Sequence, residues 1–521
     1  MNEIRMLDCT LRDGGYCNQW KFGFDNAKKI IRGLVEADIE IIECGFLSDK
    51  IIYDREVTKF NTIEQLSQII PENKDGKIFV AMMNYGEYDI DVLPEYDGTS
   101  IDGIRVAFHK RDLLGALDIC KGIKAKGYKV FIQAMVSLSY SDQEFLDLIS
   151  RVNEFEPYAF YIVDSFGMMK SKDLIRLFYV VEHNLKRDIW VGFHSHNNMQ
   201  LAYSNAQSLA GVRTNRNLII DSSIYGMGRG AGNLNTELFI EYLNDNYDKT
   251  YRLKPILIII DEILDDFYRK NYWGYSLPNY ISAKHNAHPN YAGFLDAKKT
   301  LTVEDMDNIF ALMNDEKRYS FDKNYMEELY TSYLARGKEQ EEHRGEFVEK
   351  LKNKKVILVA PGKSSVEEHQ KISANNNNAV IISVNFDYPE SDFIFLSNLR
   401  RYRELSETKY EKTIVTSNIN SNKFYLQIKY RDFINSVEAV RDNAGLMAIK
   451  FLISCGVKEV FLAGFDGYSH DTTENYADSK MEFINKDLVL DAMNKGMEMM
   501  LKEYAKDIKI SFLTTPKFVR I

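Results

Sequence analysis

The sequence predicts an α/β protein: an N-terminal (β/α)8 TIM barrel over residues 1–250, a helical extension and linker over 251–350, and a C-terminal Rossmann-like α/β domain over 351–521. Two observations lead to this fold class. About eight short β-rich runs alternate with amphipathic stretches in the first 250 residues, the usual size of such a barrel. Clusters of polar residues follow the ends of these runs, where barrels carry their chemistry. The pattern alone leaves an open doubly wound sheet as the alternative.

The predicted barrel elements alternate along the first 250 residues. The predicted strands are Ile4–Cys9, Ile39–Cys44, Lys77–Met82, Gly103–Ala107, Lys129–Met135, Ala159–Asp164, Trp190–His196 and Leu218–Ser223. The amphipathic stretches between them include Asp25–Ala37, Arg111–Lys126, Asp142–Glu154, Lys172–Leu185 and Met199–Ala210. Each stretch has the apolar spacing of a helix with one buried face.

The remaining chain is first helical and then again of β/α type. The extension becomes strongly charged before residue 350, which indicates a solvated helix or linker. Strands of the C-terminal domain are predicted at Lys354–Ala360, Ala379–Val384, Phe393–Leu396, Thr413–Thr416 and Val460–Ala463. The asparagine run at 375–378 is predicted to be a loop.

Composition excludes several protein classes. With 45% hydrophobic and 27% charged residues, the chain is not disordered or fibrous. The net charge of -10 argues against a general nucleic-acid binder. We expect no membrane span, because no run of about 18 apolar residues occurs. The N-terminus lacks an apolar signal core and the five cysteines form no C-x-x-C pair, so we expect a cytoplasmic protein.

The segment HSHNN at 194–198 suggests a metal site. Residues two apart in a strand point to the same side, so His194 and His196 can face one ion at the barrel mouth. Asp13, after the first strand, is the natural third ligand. Without a cysteine cluster, Mn, Mg, Co or Zn fits best. The alternative is two unrelated polar residues at a strand end.

Arg12 is the candidate for stabilising negative charge. It precedes Asp13 just after a strand, so it places a permanent cation beside a potential metal ligand. Such a cation can stabilise an enolate oxygen. The alternative is a salt bridge within the loop. Gly14 and Gly15 allow the tight turn that brings the backbone close to a ligand.

Three motifs occur in order along the first half of the chain: LDCTLRDGG at 7–15, HSHNN at 194–198 and GMGRGAGNLNTE at 226–237. Together they resemble the DRE-TIM metallolyases, the family of HMG-CoA lyase, isopropylmalate and homocitrate synthases, and 4-hydroxy-2-oxovalerate aldolase. The resemblance covers about residues 3–240. It implies a barrel enzyme with a divalent metal on Asp13, His194 and His196, and Arg12 as the enolate stabiliser.

Within this family the sequence is most similar to the aldolase branch. The segment IVDSFG at 162–167 resembles its sixth-strand segment, which implies that Ser165 holds a substrate carboxylate; the alternative is a helix N-cap. Gly228 and Gly230 are interpreted as part of a loop that approaches substrate. Asn233 matches an asparagine that approaches or joins the metal shell in some members of the family.

The sequence leaves more than one candidate for the residue that transfers the proton. The condensing synthases show Glu-Gln after R-D-G, and the pyruvate aldolases carry a histidine nearby, whereas this chain has Tyr16. Tyrosine is a poor base unless its pKa is lowered. Either Tyr16 takes this role, or His285 or His288 folds over the barrel mouth. The alternative for the two histidines is surface or core packing.

The sequence of the C-terminal domain suggests that this domain binds a nucleotide. Neither GMGRGA nor APGKSS fits a dinucleotide or P-loop motif, because Ala231 and Ile357 stand where glycine is required. The run KKVILVAPGKSSVEE and the later KEVFLAGFDGYSHD are similar to Rossmann-like bacterial sialyltransferases and related domains of surface-polysaccharide pathways. The candidates for nucleotide or nucleotide-sugar binding are Gly362, Ser364 and Asp466. The alternative is a structural domain without ligand.

The leading hypothesis is a metal-dependent aldolase or carbon–carbon lyase that joins or separates a 2-oxo acid such as pyruvate and an aldehyde, free or sugar-linked. One alternative is a Claisen-type acyl-CoA condensing synthase. The other is a nucleotide-sugar glycosyltransferase, with the barrel as scaffold or as the second half of a bifunctional chain. Resemblance to this family also suggests a homo-oligomer.

Overall fold

The computed structural model describes residues 3–337, 343–483, 485 and 487–520. The chain forms two compact units, one from residues 1–293 and 315–321, the other from 294–314 and 322–521. Residues 251–293 therefore belong with the first unit, although the sequence places them in a separate extension. The most charged part of the expected linker, 338–342, lies outside the described residues. None of the described helices combines the length and apolar composition needed to cross a membrane.

The first unit is a closed barrel of parallel strands, as the sequence predicts. Its strands in the described residues are β1 (Ile4–Asp8), β2 (Ile41–Leu47), β3 (Lys59–Phe60), β4 (Ile78–Asn84), β5 (Gly103–Phe108), β6 (Lys129–Ala134), β7 (Ala159–Asp164), β8 (Trp190–Ser195) and β9 (Leu218–Ser222). Neighbouring strands pair in chain order, and β1 pairs with both β2 and β9, which closes the ring of eight. The two-residue β3 lies outside the ring and pairs only with the end of β2.

The helices of the first unit follow the strands along the chain. They are α1 (Thr10–Asp13), α2 (Gly15–Asn18), α3 (Phe24–Glu36), α4 (Ile63–Ser67), α5 (Leu113–Ala125), α6 (Asp142–Phe155), α7 (Ser171–Asn184), α8 (Ala202–Ala210), α9 (Thr236–Asn246), α10 (Leu253–Ile259), α11 (Asp265–Lys270) and α12 (Leu277–Lys284). In α3, for example, Ala27, Ile30, Ile31 and Leu34 are buried at helical spacing. The longer helices of this kind form because each buries one apolar stripe against the barrel.

Both faces of the barrel strands are apolar. Leu7, Ile41 and Val80 belong to one buried cluster, whereas their chain neighbours Met6 and Ile42 belong to another. Alternate residues of a strand point to opposite faces, so the first cluster fills the barrel and the second packs against the helices. This double burial explains why the strands read as nearly continuous apolar runs.

The end of β2 is irregular. Gly45 has φ +143°, and a Cβ there would lie 2.2 Å from the carbonyl oxygen of Thr58. Only glycine allows this close approach, and the β2–β4 register shifts between Glu43 and Phe46. Beyond this point Phe46 pairs with Lys59 of β3. The irregularity therefore brings Lys59 to the mouth of the barrel.

The second unit contains a parallel sheet. Its strands are β10 (Lys355–Val359), β11 (Ala379–Val384), β12 (Phe393–Leu396), β13 (Thr413–Thr416), β14 (Leu426–Ile428), β15 (Glu459–Ala463) and β16 (Lys509–Phe512), arranged β14-β13-β12-β11-β10-β15-β16. The chain extends the sheet from β10 in one direction as far as β14 and then continues with β15 on the other side of β10. The strand order thus reverses between β10 and β15, as in doubly wound folds.

The helices of the second unit flank this sheet. They are α14 (Val303–Ala311), α15 (Lys323–Leu334), α16 (Arg344–Leu351), α17 (Ser364–Glu367), α18 (His369–Ser373), α19 (Leu399–Glu404), α20 (Tyr430–Phe433), α21 (Ala444–Ser454) and α22 (Asp487–Tyr504), and the chain enters the unit through α13 (Pro289–Ala297). In α21 nearly every residue is buried, which is typical of a helix covered on all sides. The parallel α/β architecture predicted for this part of the chain is confirmed.

Candidate active site

Three potential metal ligands meet at the carboxyl-terminal mouth of the barrel. Asp13 ends α1, directly after β1, whereas His194 lies in β8 and His196 follows its last residue. The Oδ2 atom of Asp13 is 4.0 Å from Nε2 of His194 and 3.7 Å from Nδ1 of His196. All three side chains are at most 6% exposed, and one ligand atom of each lies within 4.8 Å of the others. This geometry suits one divalent ion.

The charges of this group match metal binding. Burial tends to raise the pKa of Asp13, but the neighbouring groups, of which Arg12 has the largest effect, together outweigh burial and hold this pKa well below its usual range. Burial lowers the pKa of His196 to about 3. At neutral pH Asp13 is therefore an anion and His196 is neutral, and these are the protonation states that bind metal ions.

A second carboxylate orients His194. The Nδ1 atom of His194 lies 3.0 Å from Oδ2 of Asp221 in β9. When Nδ1–H donates to this carboxylate, Nε2 stays free to face Asp13. Asp221 also forms an ion pair with Arg105 of β5. Burial tends to raise the pKa of Asp221, but Arg105 and the contact with His194 together outweigh burial and lower this pKa.

Glu43 joins two buried arginines. Arg12 donates from Nε to Oε2 of Glu43 and from Nη1 to Oδ1 of Asp13, both at 2.8 Å. Nη1 of Arg105 lies 2.9 Å from the same Glu43 oxygen. Arg12 is thus fixed by two acids. Its Nη2 atom is buried and has no hydrogen-bond partner among the described residues.

Unsatisfied polar atoms concentrate around the three ligands. Nη2 of Arg12, Nδ1 of His196 and Oδ1 of Asn233 are all buried without a hydrogen-bond partner in the described part of the chain. Buried polar atoms are normally paired, so the cluster indicates that this site is built for an ion and a polar ligand. The amide Nδ2 of Asn233 donates to Oδ2 of Asp13 at 2.6 Å. Asn233 therefore holds the carboxylate and keeps its own oxygen available.

The glycine-rich loop after β9 packs directly on this group. A Cβ on Gly228 would lie 2.4 Å from Nδ2 of Asn233 and 3.1 Å from Oδ2 of Asp13. Gly230 has φ +69°, and its Cβ would lie 2.6 Å from Oδ1 of Asn198. Both positions therefore require glycine, and the loop forms one wall of the site.

Ser165 and Arg229 lie at the mouth. The Ser165 hydroxyl oxygen accepts a hydrogen bond from the backbone N–H of Val136 at 2.9 Å, and its carbonyl accepts one from Nη2 of Arg229 at 3.0 Å. The N-cap of the following helix α7 is Lys170, so Ser165 does not cap it. Its hydroxyl hydrogen can still be donated to a ligand.

The two histidines of the SAKHNAHPNY segment have different places. Nε2 of His288 lies 3.4 Å from Nη1 of Arg229, and its Nδ1 faces the backbone N–H of Asn290 at 3.2 Å. Burial and the charge of Arg229 lower the pKa of His288 well below its usual value, so the ring is neutral. His285 instead follows the last residue of α12, where its carbonyl accepts a hydrogen bond from Arg318.

Tyr16 lies over the mouth with 36% of its surface exposed. The guanidinium of Arg229 is 5.5 Å from the centre of its ring. Burial nevertheless raises the pKa of Tyr16 above its ordinary value, and the charge of Arg229 only partly offsets this effect. At neutral pH the hydroxyl of Tyr16 is therefore protonated and acts as a donor rather than as a base.

The first half of the chain is similar to proteins of a known family. Residues 3–257 match the family model described as HMGL-like. The N-terminal half of the chain is an HMGL-like domain. Similar proteins include 4-hydroxy-2-oxovalerate aldolases of Geobacillus genomosp. 3 (26% identical) and Shewanella halifaxensis (28% identical), each match covering 46% of this chain and 70% of the relative.

A solved structure supports the fold of the HMGL-like domain. The carboxyl transferase domain of Rhizobium etli pyruvate carboxylase superposes with a TM-score of 0.50 and 11% identity, over 65% of this chain and 63% of that one. At this identity the likeness concerns the fold alone. The match to the HMGL-like family model and the similarity to aldolases, not this solved structure, indicate an enzyme of the aldolase or lyase type.

The sequence motifs did not indicate the charged side chains that are buried inside the barrel of the HMGL-like domain. Arg105 and Asp221 carry much of the geometry around His194, yet neither is among the residues that the motifs indicate. The available signal was a single charge inside an apolar strand, as in GIRVAF and LIIDS. A charge that is buried in a strand needs a partner, so two such strands in one barrel predict an ion pair.

Proposed function

We propose that the HMGL-like domain is a divalent-metal-dependent aldolase that cleaves a 4-hydroxy-2-oxo acid into pyruvate, or a related 2-oxo acid, and an aldehyde, or joins the two. The observation that carries this proposal is the buried group of Asp13, His194 and His196 with the unpaired Nη2 donor of Arg12 beside it. The named relatives are aldolases of this reaction type.

Asp13, His194 and His196 would hold the ion, and Asn233 offers a further oxygen. One carboxylate and two imidazoles fit Mn, Mg, Co or Zn. A divalent ion at this place supplies Lewis acidity toward the carbonyl and carboxylate oxygens of a 2-oxo acid.

Arg12 would stabilise the enolate. When the C3–C4 bond breaks, its electron pair moves to C3 and is delocalised onto the C2 oxygen, while the C4 hydroxyl loses its proton and becomes the aldehyde. Protonation of C3 then gives the methyl group of pyruvate. The free Nη2–H of Arg12 is held in place by Asp13 and Glu43, so it can meet the developing oxyanion without reorganisation.

His288 is the proton acceptor that we propose for the C4 hydroxyl. It lies at the mouth beside Arg229, and its ring is neutral and so able to take up a proton, although burial and the charge of Arg229 also make it a weak base. Tyr16 is protonated at neutral pH, so it suits the opposite task of donating a hydrogen bond to the substrate. His285 lies at the end of α12, and we assign it no role in the reaction.

Proton exchange of pyruvate tests this function. In heavy water, the enzyme with Mn, Mg, Co or Zn is expected to replace the methyl hydrogens of pyruvate with deuterium, because enolate formation does not need the aldehyde. The measurement is proton NMR after removal of paramagnetic metal, and chelator should stop the exchange. We expect Arg12→Lys to slow exchange by about 100-fold, since one lost oxyanion donor has roughly that cost.

His288→Gln separates the proton step from the enolate step. This variant should cleave the 4-hydroxy-2-oxo acid at least about ten times more slowly than the unaltered protein does. The metal content of the variant should equal that of the unaltered protein. If no metal supports exchange in the unaltered protein, the aldolase proposal is wrong.

A second candidate function concerns the second unit, which contains a cavity of about 580 Å³. The cavity lies at the carboxyl ends of the strands where the strand order reverses, since Gly362 follows β10 and Asp466 follows β15. Asn385, after β11, has φ +65° and a buried Oδ1 without a partner among the described residues. These features support a small-molecule site.

We propose a nucleotide or nucleotide sugar of surface-polysaccharide metabolism as its ligand. Arg401 and Lys299 supply positive charge in the lining, and Tyr468 and Tyr476 supply rings. The turn that contains Ser364 is not free for phosphate, because its N–H donates to Asp466 at 2.8 Å and its hydroxyl bonds the same carboxylate. The phosphate would therefore lie elsewhere in the cavity.

Calorimetric titration of the full chain with CMP, UDP and UDP-glucose tests this site. Asn385→Gly keeps the left-handed backbone but removes the amide, and it should weaken binding about ten-fold. Asn378→Gly is the matched control, because Asn378 is also left-handed, at φ +57°, but lies exposed in the asparagine run. Equal weakening by both variants, or no binding at all, would refute the assignment.

A further inference from the structure

Three aromatic rings line one side of the barrel mouth: Tyr16, Trp20 and Phe46. Their centres are 4.7 Å apart for Tyr16 and Trp20, and 5.7 Å apart for Trp20 and Phe46. We call these three residues the mouth aromatic cluster. They extend from the loop that carries Arg12 to the irregular end of β2, so the cluster adjoins the candidate active site.

Trp20 is fixed in this cluster by its backbone and its contacts. Gln19 and Trp20 both have left-handed backbones, with φ +59° and +61°. Two successive non-glycine residues in this region are costly and often mark functional sites. The indole Nε1 donates to the carbonyl of Arg12 at 2.7 Å, and a Cβ on Gly15 would lie 2.1 Å from the indole ring. The ring is therefore held against the Arg12 loop.

Lys59 places a cation on this cluster. Its Nζ lies 3.5 Å from the centre of the Trp20 ring and 5.8 Å from that of Phe46. The guanidinium of Arg12 lies 5.9 Å from the same Phe46 ring. Lys59 and Arg12 thus contact one ring at the mouth.

Lys59 differs from the other mouth cations in its partners. Arg12 is paired with Asp13 and Glu43, and Arg229 bonds the carbonyl of Ser165. In the described part of the chain, the side chain of Lys59 forms no ion pair and no hydrogen bond, and its ammonium group lies over the rings of Trp20 and Phe46. It is also partly buried, and burial lowers its pKa, although the charge of Glu87 acts in the opposite direction.

A partly buried cation without an ion-pair partner is unfavourable in the free protein. The same desolvation strengthens its attraction to an anion that enters the site. Trp20 fixes the position of the ammonium group, so its place is determined before a ligand binds. Lys59 therefore has the properties of an anion-binding residue at the edge of the candidate active site.

We propose that the aldehyde partner of this enzyme carries an anionic group, a carboxylate or a phosphate, at the end away from its carbonyl, and that Lys59 binds this group. The inference rests on the proposed aldolase function and names the class of its second substrate. In the joining direction, C3 of the enolate forms a bond to the aldehyde carbon, and the aldehyde oxygen takes up a proton. The anionic group is unchanged in the reaction, so Lys59 acts in substrate selection and not in bond formation.

Matched aldehyde pairs test the proposal. Succinic semialdehyde is compared with butanal, and glyceraldehyde 3-phosphate with glyceraldehyde, each with pyruvate and the metal that best supports exchange. The unaltered protein should prefer the charged member of at least one pair by about 10- to 100-fold in kcat/KM, since a charge-assisted contact has this size. The pair that shows the preference distinguishes a carboxylate from a phosphate.

Lys59→Met keeps the aliphatic stem over Trp20 and removes the charge. It should abolish the preference by slowing the charged aldehyde, leave the neutral aldehyde within about two-fold and leave pyruvate exchange unchanged. Lys59→Arg should restore most of the preference. Lys28→Met is the matched control, because Lys28 also lies over a ring, 5.4 Å from the centre of Phe24, on the exposed part of α3.

The outcomes separate the two proposals. Exchange without any preference for charged aldehydes, or a preference that Lys59→Met leaves intact, overturns the role of Lys59 but not the aldolase function. Loss of pyruvate exchange in a folded Lys59→Met variant would mean that Lys59 binds the 2-oxo acid instead, which also overturns the inference. Absence of exchange in the unaltered protein overturns both.

Discussion

Asp13→Asn is expected to remove the divalent metal from the protein. Asp13 supplies the only negative charge among the three ligands, and Arg12 keeps it ionised at neutral pH. Asparagine has nearly the same shape but no charge, so we expect metal affinity to fall by at least about 100-fold and pyruvate exchange to stop. The measurement is metal content after dialysis against a fixed free concentration of Mn.

Thermal unfolding gives an independent readout for this variant. A ligand present at about 100 times its dissociation constant stabilises the native state by about 2.7 kcal/mol, so Mn should raise the melting temperature of the unaltered protein but not of the variant. Asp164→Asn is the matched control. Asp164 is also a buried acid at a strand end, its pKa is raised by burial to about 7, and it does not belong to the ligand group. Undiminished Mn binding by Asp13→Asn would refute the metal assignment.

The arrangement of the ligands could be predicted from the sequence because it depends on strand ends. Asp13, His194 and His196 are far apart in the chain, but each follows or ends a strand that the apolar pattern identifies. In a closed parallel barrel those ends must meet at one mouth. The spacing of the two histidines then fixes their common direction.

Other parts of the site had no local signal. The two-residue β3 is too short for a periodic pattern, and it exists because Gly45 lets the end of β2 approach Thr58. The left-handed backbone at Gln19 and Trp20 is set by tertiary contacts, not by the preferences of these residues. The place of Lys59 on Trp20 therefore becomes visible only in the folded chain.

The difference between His285 and His288 has a similar origin. Both histidines occur in one polar segment, and the sequence around them gives no reason to prefer one over the other. His285 follows the last residue of α12, and the turn before α13 then directs His288 to Arg229. A single turn between two helices thus decides which histidine lies beside Arg229.

The largest loss of stability is expected for Arg105→Met. Arg105 is fully buried in the barrel and pairs with Glu43 and Asp221, which are themselves at most 1% exposed. Methionine fills much of the same volume but leaves two carboxylates without their cation. Removing one partner from a buried ion pair costs about 3–5 kcal/mol, and we expect the loss to lie at the upper end of that range because two acids are affected.

Tryptophan fluorescence during urea unfolding measures this loss in the barrel alone, because Trp20, Trp190 and Trp273 are the three tryptophans of the chain and all belong to the first unit. Arg216→Met is the matched control. Arg216 is 5% exposed, but it bonds mainly backbone carbonyls at a helix end, and its acidic partner Glu182 is 21% exposed. This variant leaves no fully buried acid behind, so it should lose clearly less stability than Arg105→Met.

The pH dependence identifies the cause of the loss. In the unaltered protein Arg105 lowers the pKa of Asp221 below its unfolded value, so this acid stabilises the fold at neutral pH and its contribution disappears as the pH falls through the folded pKa. In Arg105→Met, burial without a cation raises the pKa of Asp221 instead. The free energy lost by ionising this buried acid then grows as the pH rises above its pKa in the unfolded chain, about 4. The stability difference between the two proteins should therefore shrink between about pH 7 and pH 5. A difference that stays constant over this range would mean that Arg105 stabilises the barrel by packing on Tyr161, whose ring centre lies 4.9 Å from its guanidinium, rather than by holding the two acids.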